Sequence, residues 1–308
     1  MLTILVNPRA QGVRRDPALP ARLTEIARGA GEVITTADGE LPRICADLAV
    51  RGASLVALCG GDGTGQTVLT ELVRAYRATG RPPPRIALLR GGTINTVAAN
   101  LGVHGAPEEL LGRLVARLSL GAPLPTVVQP LLAVEGRLGF LFAAALGARF
   151  LELYYDHPSP GPARAAALAV QISASALVGG ASSRRLFAPI SAELELDSAP
   201  PVRMDGLRLL VASTVVDVGI GMRLCPRAVE DRSRFQLIAS ALSPTEMALQ
   251  LPAVRAGQPL RGVPHLDPLV ARATVRFASE EPYTLDGDLF RARSIELAIG
   301  PCLSIVRC

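Results

Sequence analysis

The 308-residue chain contains no lysine and no tryptophan, and all 32 of its basic residues are arginine. A Walker A loop needs Gly-Lys-Ser/Thr and a protein kinase needs a strand lysine, so both are excluded. Schiff-base chemistry, which needs an amine side chain, is excluded too. Any phosphate bound here is held by backbone N–H groups, hydroxyls, arginines or a metal. Aromatic residues make up only 4% and the arginines form no run, so base-stacking platforms are scarce. With a net charge of just +5, this argues against a nucleic-acid partner. The five cysteines, Cys45, Cys59, Cys225, Cys302 and Cys308, are odd in number, and none sits in a Cys-x-x-Cys spacing. They read as reduced core thiols in a cytosolic protein, without a disulfide framework or zinc site. His104, His157 and His265 are far apart and each adjoins a Gly or Pro, which places them in loops. Long apolar runs are missing as well. The nearest, Ala163 to Ala181, is alanine-rich and carries Arg164, Gln171 and Gly179-Gly180, so it reads as a packed or interfacial helix and not a span. Met1 to Val6 lacks the basic start and length of a signal peptide and reads as a first strand.

What remains is a folded composition, 49% hydrophobic and 19% charged, long enough for two modest domains. The first part alternates strand-like runs (Thr3–Val6, Glu32–Thr36, Ser54–Cys59, Arg85–Leu89) with helical patterns (Leu19–Arg28, Leu41–Arg51, Gln66–Arg77, Thr93–Leu101). Such alternation predicts a parallel sheet covered by helices, an α/β domain over residues 1–124. Beyond Gly121-Ala-Pro-Leu-Pro125 strands follow one another: Pro130–Val134, Leu138–Leu146, Ile190–Leu196, Leu207–Ser213, Phe235–Ala239, Ala273–Ala278, Glu281–Asp286 and Ser294–Ile299. Residues 125–293 therefore read as an antiparallel β domain, with helices near Arg164–Val178 and Pro244–Arg255.

Two strand-to-helix junctions carry chemistry. In Leu55-Val-Ala-Leu-Cys-Gly-Gly-Asp-Gly-Thr64 a buried-type strand runs into glycines and then a helix. Gly60, Gly61 and Gly63 permit close approach of an anion, the helix start supplies free N–H groups, and Thr64 can cap the helix or donate to phosphate. Asp62 would repel phosphate unless a cation such as Mg²⁺ bridges them. The second junction, Ile86-Ala-Leu-Leu-Arg-Gly-Gly-Thr-Ile-Asn95, offers Gly91, Gly92, Thr93 and Asn95 at the C-terminal end of another strand, the edge where α/β sheets collect ligands.

Gly60-Gly61-Asp62-Gly63-Thr64 followed by Gly92-Thr93-Ile94-Asn95 resembles the catalytic domain of diacylglycerol-kinase-type lipid kinases, a family that includes bacterial diacylglycerol and phosphatidylglycerol kinases, sphingosine kinases and ceramide kinases. Asn7-Pro8 with Gly12 is similar to its N-terminal signature, Leu285-Asp286-Gly287-Asp288 to its Asp-Gly-Glu turn, and Ile295–Val306 to its closing strands. The resemblance implies a nucleotide-binding domain, a β-sandwich lipid domain, ATP with Mg²⁺ in the cleft between them, and a last segment (294–308) returning to the first domain. It implies Asp288 as the general base toward a lipid alcohol, Asp62 acting through Mg²⁺, and a nucleotide site lined by Asn7, Arg9, Gly60, Gly61, Gly63, Thr64, Gly92, Thr93 and Asn95. The chain departs from the family pattern at several places. Gln66-Thr67 stands for Asn-Glu, Asn95-Thr96 for Asn-Asp, Asp231-Arg232-Ser233 for a metal-associated Asp-Asp-Gly, and Ser213 or Thr214 for an asparagine.

The function expected is transfer of the γ-phosphoryl group of ATP to a lipid such as diacylglycerol, sphingosine or ceramide, by a cytoplasmic protein working transiently at the membrane surface. Ala163–Arg185 is the candidate docking region, and exposed sandwich edges offer a route to a homodimer. NAD kinase shares the first turn but not the second, and a nucleotide- or lipid-binding protein that has lost catalysis is the other alternative.

Overall fold

The computed structural model describes residues 2–36, 39–157 and 161–307, with Ser182 described by its backbone alone. The chain divides into two compact units, residues 1–129 with 301–308, and residues 130–300.

The first unit runs β1 (Leu2–Val6), α1 (Gln11–Arg15), α2 (Leu19–Ala27), β2 (Gly31–Thr35), α3 (Leu41–Arg51), β3 (Leu55–Cys59), α4 (Asp62–Ala78), β4 (Arg85–Leu88), α5 (Thr96–Asn100) and α6 (Pro107–Ser119). Its sheet is parallel in the order β4-β3-β1-β2, with Leu2 opposite both Leu55 and Gly31. Ile305 and Val306 add a parallel strand end beside Ile86 and Ala87. All residues of β1 and β3 are buried, as expected of central parallel strands covered on both faces. Helix α3 buries Ile44, Cys45, Leu48 and Ala49 on one stripe and ends where Gly52 takes a left-handed conformation (φ +67°). Tyr76 of α4 is buried and its hydroxyl donates to the Ala53 carbonyl at 2.5 Å.

The second unit contains β5 (Thr126–Val134, entered from the first unit), β6 (Arg137–Gly139), β7 (Leu141–Ala145), α7 (Leu146–Tyr155), α8 (Pro162–Leu177), α9 (Ala181–Leu186), β8 (Ile190–Leu196), β9 (Val202–Leu207), β10 (Leu209–Ser213), β11 (Phe235–Ser240), α10 (Pro244–Arg255), β12 (His265–Leu266), β13 (Leu269–Val270), β14 (Arg272–Leu285) and β15 (Asp288–Val306). Its strands pair antiparallel in the order β12-β11-β10-β7-β14-β15, with β8 and β9 branching from β14. A register shift between Arg276 and Glu281 splits β14. Its first half pairs with β8 and its second with β7. Alternate residues of both halves, Val275, Phe277, Tyr283 and Leu285, join Leu194, Phe142, Leu210 and Leu237 in one buried cluster. Two layers thus face each other across a shared core, the sandwich arrangement.

Several expectations need correction. The strand over Leu138–Leu146 is two strands, because the Phe140 and Leu141 amides turn to the Asp286 carboxylate, and helix α7 begins at Leu146. Helix α4 starts at Asp62, ahead of Gln66, and α5 spans only Thr96–Asn100, because Asn95 is left-handed (φ +56°). Strands β5 and β15 each run continuously from one compact unit into the other. His265 lies in strand β12 opposite Ser240, not in a loop. Cys45, Cys59 and Cys225 are buried free thiols, but Cys302 is exposed, and Cys308 lies outside the described residues.

Candidate nucleotide-binding site

Strand β3 ends at Cys59 and α4 begins three residues later, with Gly61 as its extended N-cap residue. No side chain caps this helix, and the N–H groups of Asp62, Gly63 and Thr64 have no partner among the described residues. Three open amides at the positive end of a 17-residue helix form an anion seat. Thr64, a candidate cap from its spacing, sits inside the first turn instead, and its hydroxyl accepts the Asn7 side-chain amide at 2.7 Å. That leaves the Thr64 hydroxyl hydrogen to donate outward. The Asn7 side-chain oxygen Oδ1 accepts the Arg9 N–H at 2.9 Å, so the Asn-Pro segment folds back and carries the end of β1 to the turn. The Arg9 side chain is exposed. The Cys59 thiol beneath the turn is pushed up to about 12 by burial, which makes it inert.

The second turn packs directly on the first. A Cβ on Gly92 would stand 2.3 Å from the Gly61 Cα, and one on Gly91 2.8 Å from the Gly60 nitrogen. A Cβ on Gly12 would meet the Gly91 carbonyl at 2.4 Å. These glycines are therefore required by backbone-to-backbone contact between the loops, whatever they also offer a ligand. Gly92→Ala is expected to lower stability by about 1–3 kcal/mol through overpacking, read as a lower thermal unfolding temperature. An unchanged temperature would mean that the turns are not in contact. Asn95, buried and left-handed, grips Gly92 with both ends of its amide: Oδ1 accepts the Gly92 N–H at 3.0 Å and Nδ2 donates to the Gly92 carbonyl at 2.9 Å. The Thr93 hydroxyl donates to the side-chain oxygen of Gln11, a residue that no motif marks.

Asp62 ties the two turns together. Its carboxylate accepts the Thr96 N–H at 2.8 Å and the Val97 N–H at 3.1 Å, capping α5 from the first residue of α4. Burial pushes this carboxyl above its ordinary range, and the two amides, the Thr96 hydroxyl and the Arg90 charge pull it back. The acid among phosphate donors thus has a structural occupation that spacing alone does not reveal. Arg90, between β4 and Gly91, is left-handed (φ +50°), and its Nε is buried without an acceptor.

Asp288 belongs to the second unit. Leu285 pairs with Asp288 across a two-residue turn in which Asp286 (φ +48°) and Gly287 (φ +95°) are both left-handed, the tight hairpin form. Asp286 is buried and accepts the Phe140 N–H at 3.1 Å and the Leu141 N–H at 2.9 Å. The Gly287 carbonyl accepts the Tyr155 hydroxyl at 3.0 Å. Asp288, the first residue of β15, is half-buried, and its carboxylate has no hydrogen-bond partner among the described residues. Burial holds it above the ordinary carboxylate value.

Residues 1–123 match the model of the diacylglycerol kinase catalytic domain. No curated protein sequence matches the chain. A crystal structure described as a diacylglycerol kinase from Bacillus anthracis str. Sterne aligns with a TM-score of 0.65 at 12% identity, covering 100% of this chain and 96% of that one. Two more from the same organism, described as candidate diacylglycerol kinases, align at 0.73 (13% identity, 100% and 96% covered) and 0.67 (14%, 100% and 98%). At these identities the structural likeness establishes the fold.

Where this chain departs from the diacylglycerol kinase pattern, the replacements serve local structure. The Thr67 hydroxyl donates to the Gly63 carbonyl at 3.1 Å, and the Thr96 amide is held by Asp62. Ser213 is fully buried and donates to the Val215 carbonyl at 2.6 Å, while Asp231 accepts the N–H and hydroxyl of Ser233 on the surface. Among the described residues no group of three or more His, Cys, Asp or Glu side chains could hold a metal. A Mg²⁺ here would fit as a companion of bound phosphates, sharing Asp62, whose two oxygens already accept the Thr96 and Val97 amides.

Proposed function

We propose that this protein is an ATP-dependent lipid kinase that transfers the γ-phosphoryl group to the hydroxyl of a lipid alcohol such as diacylglycerol, sphingosine or ceramide. The observation that carries this reading is the open amide seat of Asp62, Gly63 and Thr64, within a segment that matches the diacylglycerol kinase catalytic-domain model. These amides and the Thr64 hydroxyl bind phosphate oxygens. Asp62 would hold a Mg²⁺ together with the phosphates, and that ion would supply charge neutralisation. Asp288 takes the proton of the lipid hydroxyl as its oxygen bonds to the γ-phosphorus and the bond to ADP breaks. An unpartnered carboxylate suits this role, because it is not already committed as an acceptor.

A lipid substrate requires work at a membrane surface. No helix among the described residues is long and apolar enough to cross a membrane. Helix α8 buries Ala165, Leu168, Ile172 and Ala176 on one stripe and leaves Val170 and Leu177 exposed on another, followed by exposed Val178 and the arginines Arg184 and Arg185. Apolar side chains backed by arginine favour reversible contact with an anionic surface.

The test is purified protein with labelled ATP, Mg²⁺ and a panel of diacylglycerol, phosphatidylglycerol, sphingosine, ceramide and NAD. A labelled lipid is the expected product; labelled NADP alone would sink the lipid reading. A second reading, a binding protein without catalysis, is favoured by Thr67 and Thr96 at positions where many members carry acids. It predicts ATP binding with no labelled product from any acceptor.

A further inference from the structure

We propose that Arg90 is a phosphate-binding residue, a fixed guanidinium that takes the terminal phosphates of a nucleoside polyphosphate. The proposal rests on the nucleotide-binding reading of the two glycine turns. Arg90 follows β4 and precedes Gly91 and Gly92, at the sheet edge where those turns meet. Its left-handed backbone disfavours a full side chain by about 1–2 kcal/mol, a cost that glycine in the same place avoids. Strain of this kind persists where a side chain is needed for something else.

The side chain is half-buried, its Nε is closed off from solvent with no acceptor, and the guanidinium makes no hydrogen bond or ion pair with any described residue. Arg164 on helix α8 also has a buried Nε without an acceptor, but it belongs to the second unit and not to the glycine turns, whereas most half-buried arginines here are satisfied. Arg149, for example, donates to the carbonyls of Leu186 and Ala188 and lies beside Glu281. A buried donor without a partner is destabilising, and such groups in native proteins call for a missing acceptor. The charge of Arg90 acts on Asp62, which puts it within electrostatic reach of the first turn of α4, where three amides are also open. The shared acceptor must be anionic and rich in oxygens. A planar guanidinium fork matches phosphate, and a chain without lysine has only arginine to supply that charge.

The experiment is calorimetric titration of ATP and AMP into wild type, Arg90→Ala, Arg90→Gln and Arg90→Lys, with thermal unfolding of each. ATP affinity is expected to fall about tenfold or more in the Ala and Gln variants, with AMP affinity little changed and partial recovery in the Lys variant. Removing an unpaired, partly buried charge should leave the unfolding temperature equal or higher. Unchanged ATP affinity in Arg90→Ala and Arg90→Gln overturns the proposal. So does an equal loss for ATP and AMP together with a lower unfolding temperature, which would mark Arg90 as a scaffold residue. Wild type that binds neither nucleotide would overturn the nucleotide-binding reading itself, a failure distinct from these two.

Discussion

Asp288→Asn is expected to lower lipid phosphorylation by about 10²–10⁴-fold, the range for loss of a positioned general base, with ATP affinity largely unchanged. Asparagine keeps the shape of the side chain and removes the proton acceptor. The carboxylate has no partner among the described residues, so its replacement strands no donor. Its effect on folding follows from linkage. Burial raises this carboxyl above the ordinary value of 3.8. A group raised in the folded state contributes stability below its unfolded value and loses that contribution as pH rises through its folded value. At neutral pH the ionised side chain is therefore a cost, and the Asn variant should unfold at the same temperature as wild type or higher. The same raised value sets the acid limb of activity: turnover should climb with pH through a value above 3.8, because only the ionised form accepts a proton. Lipid turnover in Asp288→Asn at the wild-type rate would refute the assignment, and an acid limb at or below the ordinary value would refute its buried character.

The strand–helix alternation of the first unit is legible in the sequence because each element carries its own period: β1, apolar but for Thr3, fully apolar β3, and the one-sided stripe of α3 closed by Gly52. Helix α6 is absent from the expected elements although its signals are local. Pro107 opens it, Glu109 accepts the Ala106 N–H at 3.1 Å, and Leu110, Leu111 and Leu114 are buried. The glycines and prolines on either side give the stretch the composition of a connector and mask a good helical stripe. The two glycine turns are legible as a pair, since glycine weakens an apolar strand and its neighbouring helix unless the backbone between them needs it. Their mutual packing is not legible, because it depends on contacts between residues about 30 apart, Gly61 with Gly92 and Asp62 with Thr96. The carboxylate of Asp62 shows the limit most clearly. Spacing marks it as an acid in a phosphate loop; only the fold shows that it caps another helix. Arg90 carries one signal in the sequence, a charged residue between an apolar strand and a glycine pair.

Asp286, two residues before the proposed base, is expected to behave in the opposite way: Asp286→Ala should destabilise the second unit by about 3–5 kcal/mol, the scale for breaking a buried charged hydrogen-bond group. Its carboxylate is buried and holds the Phe140 and Leu141 amides, and its own N–H donates to the Leu141 carbonyl at 2.9 Å. Alanine would leave two backbone donors without an acceptor and would place a Cβ residue without local hydrogen bonding at φ +48°. Asparagine tolerates that backbone and keeps one oxygen, so Asp286→Asn should lose less. Urea unfolding followed by tyrosine fluorescence measures this, since Tyr154, Tyr155 and Tyr283 all lie in the second unit. Gly139 offers a control on mechanism. A Cβ there would stand 2.6 Å from the Asp286 Oδ2 and 2.7 Å from a Leu285 methyl, so Gly139→Ala should be costly in wild type and only partly relieved once Asp286 is alanine, the Leu285 contact remaining. Additive losses from the two substitutions would show that they do not share a contact. An unshifted midpoint in Asp286→Ala would mean that the hairpin does not depend on this carboxylate, and that the turn exists to present Asp288 alone.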